Sequence, residues 1–283
     1  MSEVDRSMTV AAPPVTKESR FAFGRNWRGF LSVLDDGRIA EAEKSFREML
    51  ETDRLEGQSF LDVGSGSGLF SLAAARLGAG RIHSFDFDPE SVACTEELKG
   101  RYRPEMQSWT IEQGSVLDQE YLATLGRYDI VYSWGVLHHT GALWQALAAV
   151  TPLVAPGGTL FVAIYNDRGW ISKAWRAVKR IYNTGLAGRL LVVGLFVPLF
   201  AAKGVVADLL RLRNPAARYR EYRRQRGMSI VYDWLDWLGG LPYEAARPDE
   251  IIRFFSGRGF RLRKLKQPIH RNGNNEFVFS KQD

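Results

Sequence analysis

The sequence contains very little cysteine and histidine. Cys94 is the only cysteine among 283 residues, so no disulfide can form within the chain, and a reducing compartment such as the cytoplasm is the expected location. The four histidines come without a cysteine pair or an H-x-x-x-H spacing, so no metal site is expected. The polar N-terminus is not followed by an apolar segment, so no secretory signal is expected either.

A long uninterrupted apolar run is also missing. The longest run, Leu190–Ala202, has 13 residues, contains Pro198 and is bracketed by Arg189 and Lys203. A helix that spans a bilayer needs about 20 apolar residues, so this run is short for that purpose. It fits a buried cover helix, a helix on a membrane surface or a lid that binds lipid, and the sequence leaves these three interpretations open.

Acidic residues are scarce in the segment that surrounds this run. Between Lys173 and Arg226 there are 13 Lys/Arg and two acidic residues, a balance of 13 − 2 = +11, on a chain whose total is +6. The remaining residues therefore carry a balance of −5. A solvated charged face, contact with an anionic membrane or lipid-like acceptor, and nucleic-acid binding would each explain this basicity.

Short apolar strand patterns alternate with helical patterns from about residue 59. Strands are predicted at 59–63, 81–85, 108–112, 128–133 and 159–164, with helices at 68–77, 89–98 and 140–150, the last capped by Thr140. The alternation breaks after Asn166 and resumes with a helix at Pro248 and strands at 261–266 and 276–281. Such alternation is typical of βαβ units in a parallel sheet.

This pattern divides the chain into one domain with a subdomain. We expect a mobile leader over 1–20, N-terminal helices and a sheet core over 21–167, a helical basic-apolar insertion over 168–245, and a C-terminal helix with two strands over 246–283. Aromatic residues are dense over 226–244, which would form either a lid or packing for the insertion, and we favour packing for Trp234 and Trp237.

A glycine-rich turn, FLDVGSGSG at 60–68, follows the first predicted strand. Glycines let a ligand approach the backbone, and the N-terminus of the next helix offers unpaired N–H groups. The spacing is G-x-G-x-G, and Leu69 stands where a dinucleotide-binding turn would place its third glycine. The turn therefore predicts a ligand that does not place a pyrophosphate on this loop.

Asp86 ends the second predicted strand, 18 residues after Gly68. A carboxylate at this place can accept hydrogen bonds from both hydroxyls of a ribose. Aspartate also favours helix N-caps, so Asp86 and Asp88 could both be caps. We assign ribose binding to Asp86 and capping to Asp88.

Several ordered motifs together resemble class I S-adenosylmethionine-dependent methyltransferases from about residue 58 onward. They are LDVGSGSG at 61–68, FDFDP at 85–89, GSVLD at 114–118, YDIVYS at 128–133, LHH at 137–139 and APGGTL at 155–160. The resemblance implies an α/β fold with a Rossmann-like, doubly wound, seven-stranded sheet. Its last strand would run antiparallel, and the helical insertion would lie between strands five and six.

The resemblance also implies S-adenosyl-L-methionine as the cofactor and assigns residues to it. Asp62, Gly64 and Gly66 would line the methionine end, Asp86 would hold the ribose, and 113–116 would border the adenine. The full set of expected cofactor contacts is Asp62, Gly64, Ser65, Gly66, Asp86, Phe87, Ser115, Val116 and Ser133. Many relatives have an acidic residue at the position of Ser115, which leaves the contact to the adenine amino group open.

Two adjacent histidines, His138 and His139, follow the fourth strand at the edge where open α/β sheets bind ligands. Histidine titrates near neutrality, so both are candidate catalytic bases, with His139 preferred. Alternatively, one packs and bonds to a backbone carbonyl while the other faces solvent. Trp134, Tyr165 and Asn166 are expected to bind the acceptor, although a loop cap explains Asn166 equally well.

The acceptor class is narrowed by motifs that are absent. No Asn/Asp-Pro-Pro-aromatic motif follows the fourth strand, so the chain does not resemble the DNA or RNA methyltransferases that modify exocyclic amino groups. Cys94 lies away from any nucleophile position, so methylation of cytosine at C5 is not expected. We therefore expect O- or N-methylation of a small-molecule or lipid-like acceptor by a cytoplasmic enzyme, with peripheral contact at the inner membrane surface as one reading of the insertion. An RNA methyltransferase that uses the basic insertion, and a non-catalytic partner-binding protein on the same scaffold, are the alternatives.

Overall fold

The computed structural model describes residues 23–215, 234, 237–268 and 273–282. The predicted leader over 1–20 and the basic residues over 218–226 lie outside the described residues, as does most of the aromatic stretch over 226–236.

The described residues contain a sheet of seven strands in the order β3-β2-β1-β4-β5-β7-β6. The strands are β1 Ser59–Val63, β2 Arg81–Asp86, β3 Trp109–Gln113, β4 Tyr128–Trp134, β5 Val154–Tyr165, β6 Phe260–Lys266 and β7 Asn274–Lys281. Strands β1 to β5 are parallel to their neighbours, whereas β7 runs antiparallel to both β5 and β6. The predicted fold class, with its antiparallel last strand, is confirmed.

Helices cover both faces of this sheet. The described helices include α1 Phe23–Leu31, α2 Asp36–Leu50, α3 Leu69–Arg76, α4 Pro89–Tyr102, α5 Gln119–Leu125, α6 Leu143–Val150, α7 Trp170–Tyr182, α8 Leu186–Leu210 and α9 Pro248–Ser256. Of these, α7 and α8 pack on each other in a separate apolar cluster. One apolar cluster joins the sheet to α2, α3 and α4, and a second joins its other face to α5, α6 and α9. Burial on both faces explains why the central strands read as nearly continuous apolar runs.

The site is positioned by the place where the strand order reverses. From β1 the chain runs outward through β2 to β3, and it then returns to β4 on the other side of β1. The connections after β1 and β4 therefore diverge, which leaves a crevice at the carboxyl ends of these two strands.

The start of α6 differs from the prediction that Thr140 caps it. The helix begins at Leu143, whose N–H donates to the two carboxylate oxygens of Glu244 at 3.2 and 3.0 Å. The hydroxyl of Thr140 donates instead to the carbonyl of Leu137 at 2.7 Å. A capping residue that lies 101 positions away in the sequence cannot be recognised from the local pattern. Asp88, by contrast, caps α4 as predicted, accepting from Glu90 N at 3.0 Å.

In the part of the insertion that the structure describes, two helices, α7 and α8, follow β5. Trp175 of α7 packs against Trp237 at 4.0 Å and against Phe196 of α8 at 5.3 Å between ring centroids, and Trp234 lies 5.7 Å from Phe200. The packing role expected for Trp234 and Trp237 is therefore confirmed.

The apolar run Leu190–Ala202 lies within a longer helix. Helix α8 has 25 residues and continues through Pro198, with a mean hydropathy of 2.3 over its most apolar stretch. Only 6% of that stretch is buried, so α8 is not a buried cover helix. Among the described residues it is the one helix long and apolar enough to cross a membrane, by length and composition alone.

Candidate cofactor and acceptor site

A cavity of about 1700 Å³ opens over the carboxyl edge of the sheet. Its first part lies above β1, β2 and β3 and includes Asp62, Gly64, Ser65, Gly66, Asp86, Phe87, Ser115 and Val116. Its second part lies above β4, β5 and β7 and includes Trp134, His138, His139, Tyr165, Asn274 and Glu276. Two adjoining chambers of different chemistry suit a reaction that brings two ligands together.

The glycine-rich turn is held in a shape that only glycine allows at two positions. Gly64 has φ of +83°, and a Cβ there would lie 2.4 Å from the side chain of Val136. Gly66 has φ of +57°, and a Cβ there would lie 2.9 Å from the ring of Trp27 on α1. The turn is therefore packed from both sides, and α1 closes the cavity above it.

The carboxylate of Asp86 is tied to this turn. One oxygen accepts from the backbone N–H of Gly66 at 3.0 Å, and the other accepts from that of Asp88 at 2.9 Å. The backbone N–H of Phe87 also donates to this carboxylate, and Asp86 lines the cavity. A carboxylate has about four acceptor positions, so these three backbone donors leave room for a ligand hydroxyl. The same group can therefore fix the turn and accept a hydrogen bond from a ligand hydroxyl.

A second carboxylate, Asp62, lies at the end of β1 and is almost fully buried. The hydroxyl of Ser71 donates to it at 2.5 Å. Burial raises the pKa of Asp62 to about 7 and that of Asp86 to about 6, because the charged form of each loses hydration. A buried carboxylate and a partly buried one favour a ligand that brings positive charge and hydrogen-bond donors.

Beyond β3, the cavity is bordered by Ser115, Val116 and the half-exposed ring of Phe87. The hydroxyl of Ser115 accepts from Leu117 N at 3.2 Å. Asp118 is the N-cap of α5, and its carboxylate accepts from Tyr121 N at 3.0 Å. It therefore does not replace the acidic residue that many relatives have at the position of Ser115.

Two residues predicted for the site do not line the cavity. Ser133 is fully buried, and its hydroxyl donates to the carbonyl of Val63 at 2.9 Å, which ties β4 to β1. Asn166 accepts from the side chain of Asn275 at 3.1 Å, and its N–H donates to the carbonyl of Gly273. Both predictions assumed that a residue near the end of a strand would face the cavity. The alternation of side chains along β4 points Ser133 to the opposite face from Tyr132 and Trp134.

The two histidines lie together against Tyr165. The ring of His138 is 3.9 Å from that of Tyr165 and is fully buried. Burial, reinforced by His139, lowers the pKa of His138 well below its usual value. His138 is therefore a packed neutral ring at neutral pH, and it does not face solvent.

His139 is fixed by a backbone carbonyl. Its Nδ1 lies 2.7 Å from the carbonyl oxygen of Pro242, which can only accept, so Nδ1 carries the proton and Nε2 keeps the basic lone pair. Burial lowers the pKa of His139 to about 4. The ring is thus neutral and oriented at pH 7, but it is a weaker base than an exposed histidine.

The chain returning from the insertion covers the histidines from the other side. Glu244 N donates to the carbonyl of His138 at 3.0 Å, and Ala246 N donates to that of Tyr165 at 3.0 Å. The ring of Tyr243 lies 5.3 Å from that of Tyr165. The insertion therefore joins the acceptor part of the cavity through the residues at its C-terminal end.

The opposite wall carries a carboxylate whose role the sequence left open. Glu276 of β7 has a side chain that is 16% exposed, lies 3.7 Å from Lys266 Nζ, and accepts from Trp134 Nε1 at 3.4 Å. The buried hydroxyl of Tyr132 also lines the cavity and has no partner among the described residues. Glu276 and Trp134 are 142 positions apart in the sequence. The pairing of β7 with β5 brings them together.

Residues 61–160 match a family model described as a methyltransferase domain. The matched range covers β1 to the middle of β5 and contains every residue that we assigned to the cofactor.

Two of the curated relatives match over comparable lengths of 119 and 114 residues. A ribosomal protein L11 methyltransferase of Anoxybacillus flavithermus is 30% identical over 119 residues, which are 38% of this chain and 38% of that protein. A ubiquinone biosynthesis O-methyltransferase of Xanthomonas campestris pv. campestris is 32% identical over 114 residues, 40% of this chain and 45% of that protein. The chain thus spans less than half the length of these two relatives.

Solved structures match over nearly the whole chain. The magnesium protoporphyrin IX methyltransferase of Synechocystis with bound SAH has a TM-score of 0.54 and 11% identity, covering 91% of this chain and 95% of that one. At this identity the likeness shows a shared fold. With the family match, it confirms the resemblance drawn from the sequence motifs.

Proposed function

We propose that the protein transfers a methyl group from S-adenosylmethionine to a small-molecule or lipid-like acceptor, because residues 61–160 match a methyltransferase domain. The observation that carries the proposal is the single cavity, in which the glycine-rich turn and Asp86 adjoin an aromatic second chamber. The acceptor's lone pair forms the new bond to the methyl carbon while the carbon–sulfur bond breaks and its electrons stay on the sulfur.

The chain's contribution to this reaction is binding and alignment. Asp86 would accept from ribose hydroxyls, and Asp62, when ionised, would attract the positive charge of the methionine end. Gly64 and Gly66 line the cavity with backbone alone, so no side chain stands between the turn and the ligand at these two positions. Methyl transfer is an in-line displacement, so a rigid site that holds both ligands at the correct angle supplies much of the acceleration.

The second chamber suits an acceptor with an apolar body and a polar end. Trp134 and Tyr165 provide aromatic walls, while Glu276 and Lys266 place a charged pair at the rim. Two similar proteins are named for the small molecules ubiquinone and protoporphyrin, whereas others are named for ribosomal protein L11. The aromatic walls favour the first class, because a protein acceptor would have to thread into the cavity.

For a hydroxyl acceptor, we assign the general base to His139. Its Nδ1–H is held by Pro242, so Nε2 is the nitrogen that can take the proton. Because the pKa of His139 is about 4, its ring would accept the hydroxyl proton as the new bond forms in the transition state. A neutral amine acceptor needs no such base.

The experiment is transfer from methyl-labelled S-adenosylmethionine to a whole-cell extract. Label is counted separately in the lipid, small-molecule, protein and RNA fractions, with the Asp86→Ala variant as the inactive control. We expect label in the lipid or small-molecule fraction only with the wild-type protein. Label in RNA would support the alternative RNA methyltransferase, label in protein would point to a protein acceptor, and no label in any fraction would support a non-catalytic scaffold.

A further inference from the structure

Helix α8 carries an apolar stripe that no described residue covers. Leu191, Leu195, Leu199, Val206 and Leu209 are each 55–64% exposed. Their spacing keeps them on one side of the helix, along about 27 Å at 1.5 Å per residue. We call these five residues the α8 stripe.

The other side of α8 is also apolar, but it is packed. Val192 is buried, and Phe196 and Phe200 contact Trp175 and Trp237. A helix that is apolar all round belongs in a protein core or in lipid, because water solvates neither face. One face of α8 has its protein partner, so the stripe requires a second apolar medium.

The charges around the stripe identify that medium. Residues 173–213 contain eight basic residues and a single acidic one, Asp208, which is buried. The exposed basic residues of this range are Lys173, Arg180, Arg189, Lys203, Arg211 and Arg213. A second copy of the chain would bring two such basic surfaces together, whereas anionic head groups would neutralise them.

A tryptophan adds an independent sign of an interface with lipid. Trp170, the first residue of α7, is 76% exposed. Tryptophan concentrates at the boundary between head groups and acyl chains, because its ring is apolar and its N–H is polar.

We propose that α8 binds in the plane of an anionic membrane surface, with the α8 stripe in the acyl boundary and the flanking basic residues among the head groups. An in-plane position follows from the charges. Arg189 and Lys203 limit the uninterrupted apolar run to 13 residues, about 20 Å, against a hydrocarbon core of about 30 Å. The packed face also stays bound to α7 and cannot face lipid.

This binding would bring the acceptor chamber to a membrane. The ring of Tyr243 lies 5.3 Å from that of Tyr165 in the chamber. Lys179 Nζ of α7 lies 5.2 Å from the centre of the Tyr243 ring. An apolar acceptor dissolved in the bilayer would then reach the enzyme at a raised local concentration. Membrane binding itself does not rest on the proposed methyl transfer.

The test is sedimentation of the full chain with mixed phosphatidylglycerol/phosphatidylcholine vesicles, compared with pure phosphatidylcholine. The variant is Leu195→Asp/Leu199→Asp. Its matched control, Ala123→Asp/Thr124→Asp, adds the same two charges at exposed positions of α5. A thermal shift with S-adenosylhomocysteine, measured on each protein, shows whether the fold and the cofactor site survive.

We expect the wild type and the α5 control to sediment with the anionic vesicles, and raised salt to weaken this binding. The stripe variant should lose at least about tenfold in vesicle affinity while keeping its thermal shift. Wild-type protein that stays in the supernatant with both vesicles would overturn the proposal. So would a stripe variant that binds as well as the wild type, or a wild-type dimer that binds no vesicles and that the stripe variant dissociates, because a second copy would then cover the stripe.

Discussion

The backbone N–H of Gly66 donates a hydrogen bond to the carboxylate of Asp86 at 3.0 Å. This contact links the turn after β1 to the end of β2 across 20 positions of the sequence. It makes Asp86 a support of the turn in addition to the proposed ribose contact, so removing its carboxylate should disturb two parts of the cofactor chamber at once.

Replacing Asp86 should therefore weaken cofactor binding strongly. Asp86→Ala loses the charge-assisted acceptor for the ribose and the bond to Gly66, which we expect to cost about 2–3 kcal/mol of binding free energy. Isothermal titration calorimetry with S-adenosylmethionine measures this directly. Asp118→Ala removes a carboxylate that only caps α5 and should keep the wild-type affinity. Wild-type affinity in Asp86→Ala would contradict the ribose assignment.

The carboxylates of Asp62 and Asp86 should make cofactor binding depend on pH. Burial raises the pKa of Asp62 to about 7 and that of Asp86 to about 6, so the neutral forms predominate in the empty protein at low pH. Their stabilisation of the fold is present below the ordinary aspartate pKa and is lost as pH rises through these raised values. The ionised forms bind the cationic ligand, so affinity should rise between about pH 5 and pH 8.

Calorimetry in buffers of different ionisation enthalpy tests this dependence, because binding near pH 6 should release protons. The Asp62→Asn and Asp86→Asn variants should each flatten part of the profile. An affinity that stays constant from pH 5 to pH 8 in the wild type would contradict the role given to these carboxylates.

The sequence was sufficient to predict the sheet and most of the residues that line the first part of the cavity. Each strand and its following helix lie within a few residues of each other, and the periodicity of apolar residues reports their local conformation. The roles of Asp86 and Gly66 follow from the same local order. Ser133 was misplaced for a local reason as well, since a shift of one residue along β4 reverses the face of the sheet.

The acceptor chamber was harder to predict, because its contacts join distant parts of the chain. Glu244 meets Leu143 across 101 positions, and Glu276 meets Trp134 across 142. No periodicity reports such contacts. The length of α8 could not be read from the 13-residue apolar run, because the helix extends beyond Arg189 and Lys203 to Leu186 and Leu210.

The cap supplied by Glu244 should contribute to stability. Its carboxylate accepts from the first N–H of α6 and holds the returning insertion against the histidine loop. Glu244→Ala should lower the free energy of unfolding by about 1–2 kcal/mol. Thermal or urea unfolding measures the loss, and Glu244→Gln, which keeps one acceptor oxygen, should recover part of it. Equal stability of Glu244→Ala and the wild type would show that the contact is not a cap.

His139 should affect turnover and leave cofactor affinity unchanged. If it accepts the proton of a hydroxyl acceptor, His139→Ala should lower turnover by about 10²–10⁴-fold. Because the pKa of His139 is about 4, the pH profile of the wild type should show no inflection near 6.5. The assay is label transfer to the acceptor fraction, with cofactor affinity measured alongside. Near wild-type turnover in His139→Ala would indicate that positioning alone acts, and would favour an amine acceptor.

The most direct test of the central claim is calorimetric titration of the purified chain with S-adenosylmethionine, S-adenosylhomocysteine and NAD. The G-x-G-x-G turn, with Leu69 in place of a third glycine, predicts that both S-adenosyl ligands bind and that NAD binds at least about a hundredfold more weakly. Tighter binding of NAD, or no binding of either S-adenosyl ligand by the folded protein, would contradict the assignment of this site to a methyltransferase.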